Sequence, residues 1–148
     1  MLAVLCFLTS AVGIVLNHPY QYGYINAIGT FLSPGKVEEG MELDYWCVSL
    51  IGALEDAVAQ LNPDKPLTYS SMDPVTHYAL ELYDTALPAS LQGKLQLAET
   101  ADPEADLLVI NLGYQEMYGT PVPEEYELVT EIVSYGNALM RVYSRNRP

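Results

Sequence analysis

Four groupings in this 148-residue sequence carry side chains suited to chemistry. His18-Pro19 follows an uncharged apolar run. A protonated imidazole there would donate to a lipid-linked phosphate at a membrane edge, whereas a His-Pro pair also breaks a helix and hydrogen-bonds locally. Asp44-Tyr45-Trp46 joins a carboxylate that accepts from sugar hydroxyls to the only indole, which can stack on a pyranose face. The competing reading has Trp46 pack the start of a helix against a sheet. His77 and Glu81 have the i, i+4 spacing of two metal ligands but lack a third, which leaves a surface His-Glu interaction. Ser70 and Ser71 near His77 suggest a nucleophile with its base. No G-x-S-x-G elbow accompanies them, and Ser ahead of Asp73-Pro74 is ordinary turn and capping chemistry.

Composition narrows the classes further. The formal charge of −13, from 19 acidic against 6 basic residues, opposes nucleic-acid binding, which needs Lys and Arg to displace counterions. It also opposes docking on anionic headgroups, so the expected membrane contact is through the apolar end. Gly113 and Gly119 form no phosphate loop, and the acids from Glu38 to Asp44 lack calcium-loop spacing. Cys6 and Cys47 make neither a disulfide framework nor a metal-ligand pattern. No cofactor and no metal are expected.

These groups need elements to hold them. Met1 to Leu16 is apolar and uncharged, and Tyr20, Tyr22 and Tyr24 stand where a helix would leave a bilayer. Residues 1–24 therefore read as a membrane helix with its interface segment, against the alternative of a buried core helix. A cleaved signal is disfavoured, since the first basic residue is Lys36. Residues 25–48, punctuated by Gly and Pro, read as a linker. From residue 49 to 148 the pattern is that of one α/β domain. Ser49 to Leu61 has helical spacing and stops at Asn62-Pro63. Leu67 to Ser71 is a short strand. Asp73 is the N-cap of a helix running to about Tyr83, with Val75, Tyr78, Ala79 and Leu82 on its apolar face. Leu95 to Ala98 and Leu107 to Asn111 are strands, the latter apolar enough for burial on both faces. Tyr126 to Val133, a turn at Tyr135-Gly136-Asn137, and Ala138 to Tyr143 form a hairpin. The expected fold is thus α/β: a small mixed sheet with parallel strand-helix-strand units and a C-terminal antiparallel hairpin, preceded by an N-terminal membrane helix. Arg141, Arg145 and Arg147 read as a solvated end.

Four segments together carry a resemblance. His18-Pro19-Tyr20-Gln21-Tyr22-x-Tyr24-x-Asn26 resembles the motif that bacterial integral-membrane polyprenyl-phosphate-sugar glycosyltransferases, the protein-mannosyltransferase-like GT-C class, carry after their last membrane helix. Glu42-Leu43-Asp44-Tyr45-Trp46-x-x-Ser49 resembles the motif that opens their C-terminal domain. Ala105 to Asn111 is similar to a later strand of that domain, and Gly136 to Tyr143 to its final strand. One departure is Cys47, where the family commonly has a small residue such as Gly after the Trp.

The resemblance implies a non-catalytic C-terminal extracytoplasmic domain of such an enzyme, anchored in a bacterial cell membrane. The catalytic acid of the class lies in the first extracytoplasmic loop, which this chain does not contain. Its implied contacts are the lipid bilayer and, through His18, Tyr20, Tyr22, Asp44, Tyr45 and Trp46, a polyprenyl-phosphate sugar or glycan acceptor. The alternatives are an autonomous membrane-anchored binding module and a small Ser/His hydrolase.

Overall fold

The computed structural model describes residues 2–16, 44, 47–99, 101–134 and 137–146. In chain order these form α1 (Leu2–Leu16), α2 (Leu50–Leu61), β1 (Leu67–Ser70), α3 (Pro74–Asp84), β2 (Leu95–Leu97), β3 (Leu107–Asn111), α4 (Leu112–Tyr118), β4 (Tyr126–Ser134) and β5 (Asn137–Arg145). The strands make one mixed sheet in the order β2-β1-β3-β5-β4. β1 runs parallel to β2 and β3, as a strand-helix-strand unit requires. β5 is antiparallel to both β3 and β4.

Register assigns the two faces. Tyr69 stands opposite Leu107, Val109 opposite Val142, and Asn111 opposite Met140. This row packs against Leu50, Ala53, Leu54, Ala57 and Val58 of α2 and against Ala79 and Leu80 of α3. Both helices therefore cover the same face. Leu108 and Ile110 alternate with that row and are fully buried on the other face, which accounts for the unbroken apolar run of β3. Thr68 and Asp106 lock β1 to β3: the Thr68 backbone N–H and hydroxyl each donate to Asp106 Oδ2 at 2.8 Å, and the Asp106 N–H donates back to Thr68 Oγ1 at 2.9 Å.

Local chemistry sets the helix limits. Asn62, at φ 41°, ends α2 in the left-handed conformation, and its N–H donates to the Val58 carbonyl. Asp73 accepts from the Thr76 N–H at 2.6 Å, and Pro74 opens α3. α2 begins at Leu50 with Ser49 as its N-cap residue, whose hydroxyl donates to Asp44 rather than capping the helix.

The buried face of α3 differs from the expected one. Thr76, His77, Ala79 and Leu80 are buried, whereas Tyr78 and Leu82 are 59 % and 55 % exposed. The Tyr69 hydroxyl donates to Asp84 Oδ1 at 2.6 Å. That bond turns the side of α3 shared by His77, Leu80 and Asp84 toward the sheet, and an apolar-only pattern does not register it. His77 is consequently not a surface residue.

α1 carries no charged residue. Among the described side chains, its large apolar ones, including Phe7, Leu8, Val15 and Leu16, are 45–77 % exposed and spread over more than half of its circumference. Among the described residues no helix is long and apolar enough to cross a membrane.

Candidate functional site

The carboxyl ends of β1 and β3 lead into the N-termini of α3 and α4, the edge of a parallel sheet where ligands commonly bind. The turn that opens α2 joins them there through Asn111. Asp73 accepts from the Thr76 N–H in the first turn of α3 and Asn111 from the Gly113 N–H in the first turn of α4, while Asp44 accepts from the Val48 and Ser49 N–H groups in the turn ahead of α2.

Asp44 is buried and fully engaged. Its Oδ1 accepts from the Val48 N–H at 2.8 Å, and its Oδ2 accepts from the Ser49 N–H at 3.2 Å and from the Ser49 hydroxyl. Its carbonyl oxygen accepts from the Cys47 N–H at 2.9 Å and from Asn111 Nδ2, also at 2.9 Å. A sugar hydroxyl would have to displace these bonds to reach the carboxylate, so Asp44 here holds the turn ahead of α2.

Cys47 sits at φ 50°, a region that costs a residue with a Cβ about 1–2 kcal/mol. Its thiol is buried and lies 3.5 Å from Asn111 Nδ2. Burial pushes the thiol pKa up to about 12; the Asn111 contact opposes that shift, and the charges of Asp44 and Asp73 add to it. Near neutral pH it is a thiol, not a nucleophile.

Asn111 connects these parts. Its Oδ1 accepts from the Gly113 N–H at 3.0 Å, opening α4, while its Nδ2 serves the Asp44 carbonyl and the Cys47 sulfur. The short helix α4 was not expected from the sequence. Its signals are Asn111 as N-cap and Gly119, at φ 61°, as the left-handed terminator, but Gly113 in the first turn masks the helical pattern.

The remaining candidates separate. Ser70 and Ser71 are fully buried. Ser70 Oγ accepts from the Asp102 N–H at 2.9 Å, and Ser71 Oγ donates to Asp73 Oδ2 at 3.0 Å. Neither is bonded to His77, so no nucleophile-base pair forms. His77 Nε2 lies 3.9 Å from Glu81 Oε1, within reach of an ion pair if the imidazole is protonated but too far for a hydrogen bond. Both ring nitrogens, and the Thr76 hydroxyl, are buried without a hydrogen-bond partner. Among the described residues no cluster of His, Cys, Asp or Glu is placed to hold a metal ion. His18, Tyr20, Tyr22, Tyr45 and Trp46 lie outside the described residues, as do the interface segment, most of the 25–48 linker and Arg147. The described part of the site is therefore the hydrogen-bonded turn of Asp44, Cys47, Val48 and Ser49, tied through Asn111 to the start of α4. Comparison with protein-family models, curated proteins and solved structures finds no match to this chain.

Proposed function

We propose that this chain is the membrane-exit and C-terminal extracytoplasmic part of a bacterial membrane glycosyltransferase that uses a polyprenyl-phosphate sugar, and that it does not itself carry the glycosyl-transfer chemistry. The observation that carries the reading is the conformation of Cys47. The residue after Asp44-Tyr45-Trp46 has φ 50°, and this is the position where the resembled motif commonly has a small residue such as Gly, the residue type best suited to that conformation. Asp44 and Ser49, two polar residues of the motif, hold the turn together, which gives each a physical reason to stand at that spacing.

Two further features support the reading. α1 presents large apolar side chains to its surroundings and no charge, as a segment in contact with acyl chains would. The acidic α/β domain then stands outside the membrane, away from anionic headgroups. Because the Asp44 carboxylate is occupied by the turn, saccharide contact falls to Tyr45 and Trp46, with His18, Tyr20 and Tyr22 at the lipid-linked phosphate.

The test uses the chain expressed in a bacterial host. Carbonate-washed membranes retain it, and protease added to intact spheroplasts digests the domain. Release by carbonate, or protection from external protease, contradicts the assignment.

A further inference from the structure

We infer that the outer edge of β4 is a docking surface for an extended basic segment of another chain, which adds to the five-stranded sheet as one more strand. The two edges of this sheet are unlike. β2 is three residues long, and shortness is one way an edge is kept from pairing. β4 is nine residues long, contains neither Lys nor Pro, and among the described residues pairs with β5 alone. One side of it is fixed: Ile132 belongs to the core that includes α2, and Thr130 is buried. It also exposes apolar side chains, Leu128 at 52 % and Val133 at 50 %. A strand laid along β4 would cover both and would meet the row of backbone donors and acceptors that an edge strand presents, on a surface held in place before binding. Charge selects the occupant. Residues 120–134 hold Glu124, Glu125, Glu127 and Glu131 and no Lys or Arg. The two arginines of β5 are already engaged: Arg141 Nε donates to Glu131 Oε1 at 2.6 Å, and Arg145 donates to the Glu104 carbonyl at 3.1 Å. The exposed Glu127 therefore favours Lys or Arg on the incoming strand. A second copy of this chain fits poorly. Each copy carries −13, glutamates would meet glutamates, and the register shifts between Leu128 and Thr130 and between Ile132 and Val133 would have to match on both strands. The geometry of this edge is independent of the glycosyltransferase reading.

The probe is a heptapeptide of alternating Val and Lys, blocked at both ends and added to the full chain in a non-ionic detergent. Hydrogen exchange followed by mass spectrometry should show slower exchange across residues 126–134 and no change across 67–70 or 95–97. The peptide concentration that gives half of this protection measures binding. The same peptide N-methylated at every residue keeps its charges and side chains but donates no backbone hydrogen bond, and it should bind about tenfold more weakly or worse. Leu128→Lys, at an exposed position, removes apolar contact and adds a like charge, and should weaken the parent peptide about fivefold. Equal binding of the methylated peptide would mean attraction by charge alone and overturns the inference. So does the absence of protection at β4, or an unchanged affinity in Leu128→Lys. Protection of β4 that arises on concentrating the protein without peptide, with a doubled mass in sedimentation, gives the edge to a second copy and overturns the inference as well.

Discussion

Asn111 Nδ2 donates to the carbonyl oxygen of Asp44 at 2.9 Å, joining the last residue of β3 to the turn that opens α2. Strand end, turn and helix caps form one hydrogen-bonded unit, and the energetic consequences can be separated residue by residue.

The carboxylate of Asp44 accepts three hydrogen bonds in a buried setting. Asp44→Ala leaves those donors without an acceptor and should cost about 1–3 kcal/mol in urea unfolding. Asp44→Asn keeps one acceptor oxygen and should cost less. An Ala variant as stable as the wild type would contradict the role of Asp44 in holding the turn.

At Cys47 the backbone conformation and the side chain act separately. Cys47→Ala loses the buried thiol and keeps the left-handed strain, whereas Cys47→Gly loses the thiol and relieves it. The glycine variant should be more stable than the alanine variant by about 1 kcal/mol. The reverse order in thermal unfolding would mean that residue 47 does not occupy the left-handed region.

High pH should unfold the domain through groups that are protonated when folded. Burial raises the thiol of Cys47 from 9.0 to about 12. Burial, and secondarily the Asp84 hydrogen bond and charge, raise the Tyr69 phenol well above 10.0. In both cases the folded state holds its proton more tightly than the unfolded chain. The stabilisation is complete below the unfolded value and is lost as pH rises toward the folded one. Between pH 9 and 12 stability should fall, each such group contributing up to about 1.4 kcal/mol per pH unit. Cys47→Ala and Tyr69→Phe should each flatten that slope. A slope unchanged in both variants would contradict the assignment.

Much of the domain is readable from residue pattern because its limits rest on local chemistry. Asp73-Pro74 sets the start of α3, Asn62 the end of α2, and the apolar run Leu107 to Asn111 marks the doubly buried strand. What pattern does not show depends on contacts between distant residues. The rotation of α3 follows from the Tyr69-Asp84 bond, and the caps at the sheet edge follow from Asn111 reaching Asp44. Asp44 reads as a ligand group in sequence because a carboxylate beside Tyr and Trp suits sugars. Its use in holding the turn ahead of α2 becomes visible only when Val48 and Ser49 are seen to donate to it.

His77 offers a test of a different kind. Its imidazole is 9 % exposed and neither nitrogen has a hydrogen-bond partner, so no hydrogen bond offsets the cost of desolvating the ring. His77→Leu should leave stability unchanged or raise it by about 1 kcal/mol. A loss greater than about 1 kcal/mol in chemical denaturation would show that the imidazole contributes a stabilising interaction.

The central claim, that this domain belongs to a membrane glycosyltransferase, is tested most directly by sequencing the genomic DNA immediately upstream of Met1. The account predicts further membrane helices, in frame or one frameshift away, with an acidic residue in the first external loop. A stop codon and ribosome-binding site directly before Met1, with no helices beyond, would contradict it and leave a membrane-anchored binding module in its place.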